Sequence, residues 1–175
     1  MTALAGLLAF FAASLFAGAA LYISIAEHPA RMKLEDDAAA LAQWKPSYAR
    51  GKAMQGALAL IGSLLAFWAW WEGGDWLWLA GGVFLLINWP YTLLVIMPVN
   101  RRLEAIAPEE AGTESRTLLA RWGRLHAMRS LFGTAAALMM LLALAAAPLL
   151  VTRLAADPGA TMNDCCLQRP APAGH

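Results

Sequence analysis

Charge is scarce in this chain. Asp, Glu, Lys and Arg make up 14% of its 175 residues, and none occurs at 1–26, 53–71, 76–100 or 130–152. A soluble domain of this length does not leave such runs bare, and 60% hydrophobic residues with a mean hydropathy of +0.53 exceed its usual composition. Each run approaches the roughly 20 residues with which a helix crosses about 30 Å of hydrocarbon. Cysteine is nearly missing too. Cys165 and Cys166 adjoin one another in "ADPGATMNDCCLQRPAPAGH", where a bridge between neighbours would be strained and would close no useful loop, so they read as incidental. There is no phosphate-cradling glycine loop, paired-cysteine metal motif or serine-nucleophile motif. The net charge of +1 points to no nucleic acid partner.

What remains is an all-α chain: an integral membrane four-helix bundle running up-down-up-down, with spans at about 3–27, 52–72, 76–98 and 126–150 within a domain of 1–153. A cleaved signal peptide would want a basic leader, but no Lys or Arg precedes Arg31, so the first run is read as a helix. The tail at 154–175 lacks apolar periodicity and is expected to be disordered. Segment 27–52 holds five basic residues, 101–129 holds six, 72–75 none and the tail two. By the positive-inside bias the two long loops face the cytoplasm and both termini lie outside, as in a bacterial inner-membrane protein. Those loops are not featureless. "LEDDAAALAQW" carries apolar residues at helical spacing, and Thr113 is placed to cap a helix continuing through "RTLLARWGRLHAMRS" into the fourth span. "PARMKLE" at 29–35 also repeats as "PVNRRLE" at 98–104, which suggests two related helical hairpins.

This topology gathers the unusual polar residues at one end. The first helix supplies Glu27 and His28, and the entry to the second supplies Tyr48, Arg50, Lys52 and Gln55. The third brings Asn88, Tyr91, Thr92 and Asn100, and the fourth Trp122, His126 and Arg129. Asn88 and Thr92 share a helix face, with Pro90 between them freeing a carbonyl that other donors must satisfy. Trp122, His126, Arg129 and Gly133 form one stripe, in which glycine permits close helix approach. An ionisable group within a membrane is a functional candidate by default. Structural readings compete at each position: Arg129 can snorkel to lipid phosphate, Tyr91 can belong to the aromatic belt, Asn88 and Thr92 can hydrogen-bond between helices, and His28 can simply end its helix. Trp68, Trp70, Trp71, Trp76 and Trp78 flank the "EGGD" turn and read as an interfacial anchor.

"LYISIAEHPAR", "NWPYTLLVIMPVNRRL" and "RWGRLHAMRSLFG" together resemble the anthrone oxygenase-like family of small four-helix membrane proteins, over about residues 5–150. The signature elements are Pro98, Asn100 and Leu103, and Trp122, His126 and Arg129; the "EHPAR" stretch departs from the pattern, so His28 is not carried over from the family. The resemblance implies oxidation of a hydrophobic polycyclic phenol, an anthrone, by O₂ without flavin or haem. A stabilised carbanion reacts with O₂ in single-electron steps, so the protein need only remove a proton and hold the anion. In that reading His126, with His28 as a further candidate, takes the proton and Arg129 or Lys52 holds the enolate. Asn88, Thr92, Asn100, Tyr48 and Gln55 bind the substrate, and Trp44, Trp89 and Trp122 help to wall it. Two other classes stay open: a non-catalytic scaffold or lipid- or quinone-binding protein, and a haem or metal protein with His28 and His126 as ligands. The expected partners are the bilayer and a hydrophobic small molecule or lipid.

Overall fold

Four helices carry the apolar runs: α1 (Ala3–Met32), α2 (Asp37–Gly73), α3 (Trp76–Ala105) and α4 (Thr113–Ala156). A computed structural model describes residues 2–73 and 75–156, with side chains at 3–73 and 75–146. The two cysteines, and the tail beyond 156, lie outside the described residues. All four helices are long and apolar enough to span a membrane, and there is no strand among the described residues. Each packs on its neighbour in sequence and α4 closes against α1, which makes an up-down-up-down four-helix bundle.

The amphipathic segments expected in the loops are present as continuous extensions of the spans. α2 starts at Asp37, carries Pro46 without ending there, and runs 37 residues. That is roughly 55 Å of helix, well beyond the ~30 Å of hydrocarbon it must cross. α4 likewise begins at Thr113, so Thr113 is its first residue rather than its cap, and Ser115 Oγ instead binds back to Gly112. At the other end Asp75 caps α3 by accepting from the Leu77 N–H at 2.9 Å.

α1 and α3 each contain a π-turn, at Ile23–Glu27 and Thr92–Ile96, just before Pro29 and Pro98. Proline has no N–H to return to the carbonyl four residues back. The residue before it bonds five back instead, His28 N to Ile23 O and Met97 N to Thr92 O. The two π-turns stand 69 residues apart, the same offset as the sequence repeat. The loop clamps match as well. Arg116 of α4 donates to the carbonyls of Met32, Leu34 and Glu35, and Lys45 of α2 donates to those of Glu104 and Ile106. Glu35 and Glu104 are again 69 apart.

The interior is layered. One cluster, rich in small residues, takes Ala9, Ala13, Phe16, Ala20, Ala59, Ala66, Leu85, Ala136 and Met140. A second, near the basic end, takes Leu41, Trp44, Tyr48, Ile96, Leu103, Leu119 and Trp122. Each helix carries polar residues between the two: Ser24 on α1, Gln55 on α2, Asn88 and Thr92 on α3, His126 to Ser130 on α4, while Ser63 lies within the first cluster and Asn100 within the second. The tryptophan anchor needs one correction. Trp68, Trp71 and Trp76 are exposed, but Trp78 is buried in the first cluster against Gly6 of α1.

Candidate functional site

Between α2 and α3 the polar layer widens into a cavity of about 340 Å³. Tyr48, Lys52, Gln55 and Gly56 line it from α2, Asn88, Trp89, Thr92 and Leu93 from α3, and Arg129 from α4. Tyr48 Oη, Gln55 Nε2, Asn88 Oδ1, Thr92 Oγ1 and Arg129 Nε are buried without a hydrogen-bond partner from the protein. Each such atom costs about 1–3 kcal/mol, so five around one cavity mark a place built to bind something polar. The Asn88 amide spends its two hydrogens on the carbonyls of Phe84 and Leu85, at 3.2 and 3.0 Å, which leaves its oxygen for the cavity. Among the described residues no carboxylate lines the walls. Trp89 and Leu93 are 41% and 52% exposed, so the cavity reaches the outer surface of the bundle. Trp89 Nε1 donates to Gly56 O at 3.1 Å and ties α3 to α2 at that rim.

A second void of about 20 Å³, room for one water, shares Tyr48, Lys52, Gln55 and Arg129 with the first. It adds Asn100, Trp122 and His126. The His126 ring stacks on Trp122 at 4.8 Å, and its Nδ1 lies 3.1 Å from Ser24 Oγ, which is 2.9 Å from Ser130 Oγ. Among the described residues, the hydrogen bond that the His126 ring makes is at Nδ1, not Nε2. Asn100 is fully buried, and both polar atoms of its side chain are unpaired. The Arg129 guanidinium sits 5.5 Å from the Phe16 ring centroid. The ion pairs among the described residues, Glu27–Arg31 and Asp37–Arg116, do not include Arg129. A cation held inside a bundle without a carboxylate beside it favours an anionic guest.

A family model described as Anthrone oxygenase matches residues 44–139, more than half of the chain. The chain belongs to the anthrone oxygenase family. It is an integral membrane, oxygenase-like protein of four helices. Comparison with curated proteins and with solved structures finds no match. The anthrone oxygenase match takes in every residue that lines the large cavity, while Ser24 and His28 lie upstream of it.

Of the residues singled out from sequence, Tyr48, Gln55, Asn88, Thr92 and Arg129 meet at the large cavity, and Asn100, Trp122 and His126 at the adjoining void. His28 stands apart from both. Its ring packs on Trp122 at 5.4 Å and against Gly123, and its Nδ1 is 3.3 Å from Arg31 Nη1. Arg31 belongs to a network with Glu27, Gln43 and Ser47 that the sequence did not suggest: Arg31 and Ser47 donate to Glu27, and Arg31 Nε donates to Gln43. Trp44 lies behind the wall rather than on it, stacked on Tyr48 at 4.7 Å. Tyr91 is no simple belt residue, since its hydroxyl donates to Leu125 O at 3.2 Å and its ring meets Phe132 edge-on. Ser24 was missed altogether, as a lone serine near the end of an apolar helix carries no signal of its own.

Proposed function

We propose that this protein oxidises a planar, hydrophobic phenol of the anthrone type with O₂. The substrate enters from the bilayer between α2 and α3, and the polar layer faces the cytoplasmic side. The observation that carries this reading is the cavity itself. It combines access from the lipid, at least five unpaired buried polar atoms and a buried guanidinium, within the size range of small-molecule sites. His126 Nε2 takes a proton from the substrate methylene, directly or through the single water that the small void accommodates. Arg129 holds the enolate oxygen that forms, and Gln55, Asn88, Thr92 and Tyr48 orient the ring oxygens. The electron-rich enolate then reduces O₂. The methylene loses two hydrogens and gains one oxygen, and the other oxygen atom leaves as water. No resident cofactor is required for this balance. The geometry favours this over a bis-histidine ligand set, because the ring nitrogens of His28 are taken up by Arg31 and by the packing on Gly123.

Oxygen uptake by the purified protein in reconstituted membranes, with an anthrone-type phenol, tests the reading. Wild type and Trp76→Phe, which is exposed at the far end, should consume oxygen at equal rates. His126→Gln and Arg129→Lys should not. Saturable quenching of tryptophan fluorescence by the phenol, without oxygen uptake, would instead identify a binding protein of the lipid or quinone class.

A further inference from the structure

Given His126 as the base, the ring needs its hydrogen on Nδ1, because only then does Nε2 carry a lone pair toward the substrate. Something must hold that tautomer. Among the described residues, the group at hydrogen-bond distance from Nδ1 is Ser24 Oγ at 3.1 Å, which comes from a different helix, 102 residues away in sequence. The same oxygen lies 2.9 Å from Ser130 Oγ, one turn beyond His126 on α4. Ser24 sits in the first π-turn, Ile23–Glu27, and π-turns inside helices collect at functional sites. One face of the His126 ring stacks on Trp122 while its Nδ1 edge meets Ser24, so the ring has little freedom to turn.

We infer that Ser24 is the positioning residue of the site, accepting a hydrogen bond from His126 Nδ1–H and passing its own hydroxyl hydrogen to Ser130. A hydroxyl suits the task because it accepts and donates through one atom. When Nε2 takes the substrate proton, the imidazolium keeps its Nδ1–H on Ser24 and no group has to move. Ser130 has the helical serine's option of returning its hydrogen to the carbonyl one turn back. This assignment rests on the base role of His126 given above, and it adds a residue that lies outside the family match.

The test reads the tautomer rather than the turnover. The full chain, labelled with ¹⁵N-histidine and reconstituted in lipid, contains three histidines, and the His126→Gln spectrum identifies the His126 signals. At neutral pH the wild-type ring should show a protonated Nδ1 and an unprotonated Nε2. Ser24→Ala should lose that single tautomer and Ser24→Thr should keep it. Oxygen uptake should follow, with kcat down roughly ten- to hundredfold in Ser24→Ala, KM unchanged, and recovery in Ser24→Thr. A wild-type ring protonated at Nε2, or a Ser24→Ala ring with the wild-type tautomer, overturns the role of Ser24. The wild-type spectrum needs no variant to fold. If His126→Gln abolishes uptake while the tautomer ignores Ser24, the base reading survives and this inference alone fails; if His126→Gln keeps full uptake, the base reading fails first.

Discussion

His126 and His28 are separated by one tryptophan and by their prospects. Both touch Trp122, but His126 borders a void continuous in its lining with the cavity, while His28 plugs the crevice over Gly123. Replacing His126 by Gln should therefore lower oxygen uptake by roughly 10² to 10⁴, the range for losing a general base, with folded yield retained. His28→Ala should leave uptake within a few-fold and cost stability instead, read as a lower midpoint of thermal unfolding in detergent. Arg129→Lys should fail to restore activity if the guanidinium grips two acceptor oxygens, since lysine offers a point charge in place of a planar fork; a residue that merely snorkels would tolerate the change. Thr92→Val separates binding from folding. The Thr92 hydroxyl is buried without a protein partner, so the isosteric valine should fold as well or better while KM rises several-fold.

At the scale of elements, the two hairpins share a plan and differ in how their crevices are filled. Between α1 and α4, Gly133 admits the Phe16 ring and Gly123 admits the His28 ring, so that side is closed. Between α2 and α3 the corresponding space is the cavity, with Trp89 at its rim. A Cβ on Gly133 would stand 2.6 Å from Phe16 Cδ1, with the Ala17 backbone close behind. Gly133→Val should therefore push α1 from α4, destabilise the fold by about 1–3 kcal/mol and weaken the Ser24 contact to His126, measurable as a fall in unfolding midpoint with a fall in uptake. Arg116 carries the α1–α2 loop on one guanidinium, through Asp37 at 2.6 Å and three carbonyls. Lysine there keeps the charge and loses the fork, so protease cleavage within 33–36 should quicken in Arg116→Lys.

For the whole molecule, helix length explains why the polar layer is sheltered. α2 and α4 outrun the hydrocarbon by several turns at their starts, and the aromatic cluster of Trp44, Tyr48 and Trp122 rides on those turns. It covers the polar layer at the basic end, while the cavity opens on the outer surface of the bundle beside Trp89 and Leu93. The orientation proposed rests on the basic residues, eleven of which lie in the two long loop segments and two in the tail. Reporter fusions should show residue 111 inside the cell and residue 73 outside; a fusion at residue 73 active only in the cytoplasm reverses the site's orientation.

Sequence by itself determined the membrane class, the four helices and most of the polar residues that line the cavity. Uncharged runs of membrane length have few alternatives, and a polar side chain inside such a run is costly enough to stand out. The repeat at 29–35 and 98–104 was legible too, though its meaning, a π-turn ahead of each proline, was not. Only the tertiary structure decided which crevice stays open, because that depends on what faces each glycine across the bundle. It also moved His28, Trp44 and Trp78 from lining or surface positions into packing, and drew Ser24 to His126 across 102 residues of chain. A helix face is periodic and can be read along one strand of sequence, whereas a contact between helices is set by the rotation and register of both.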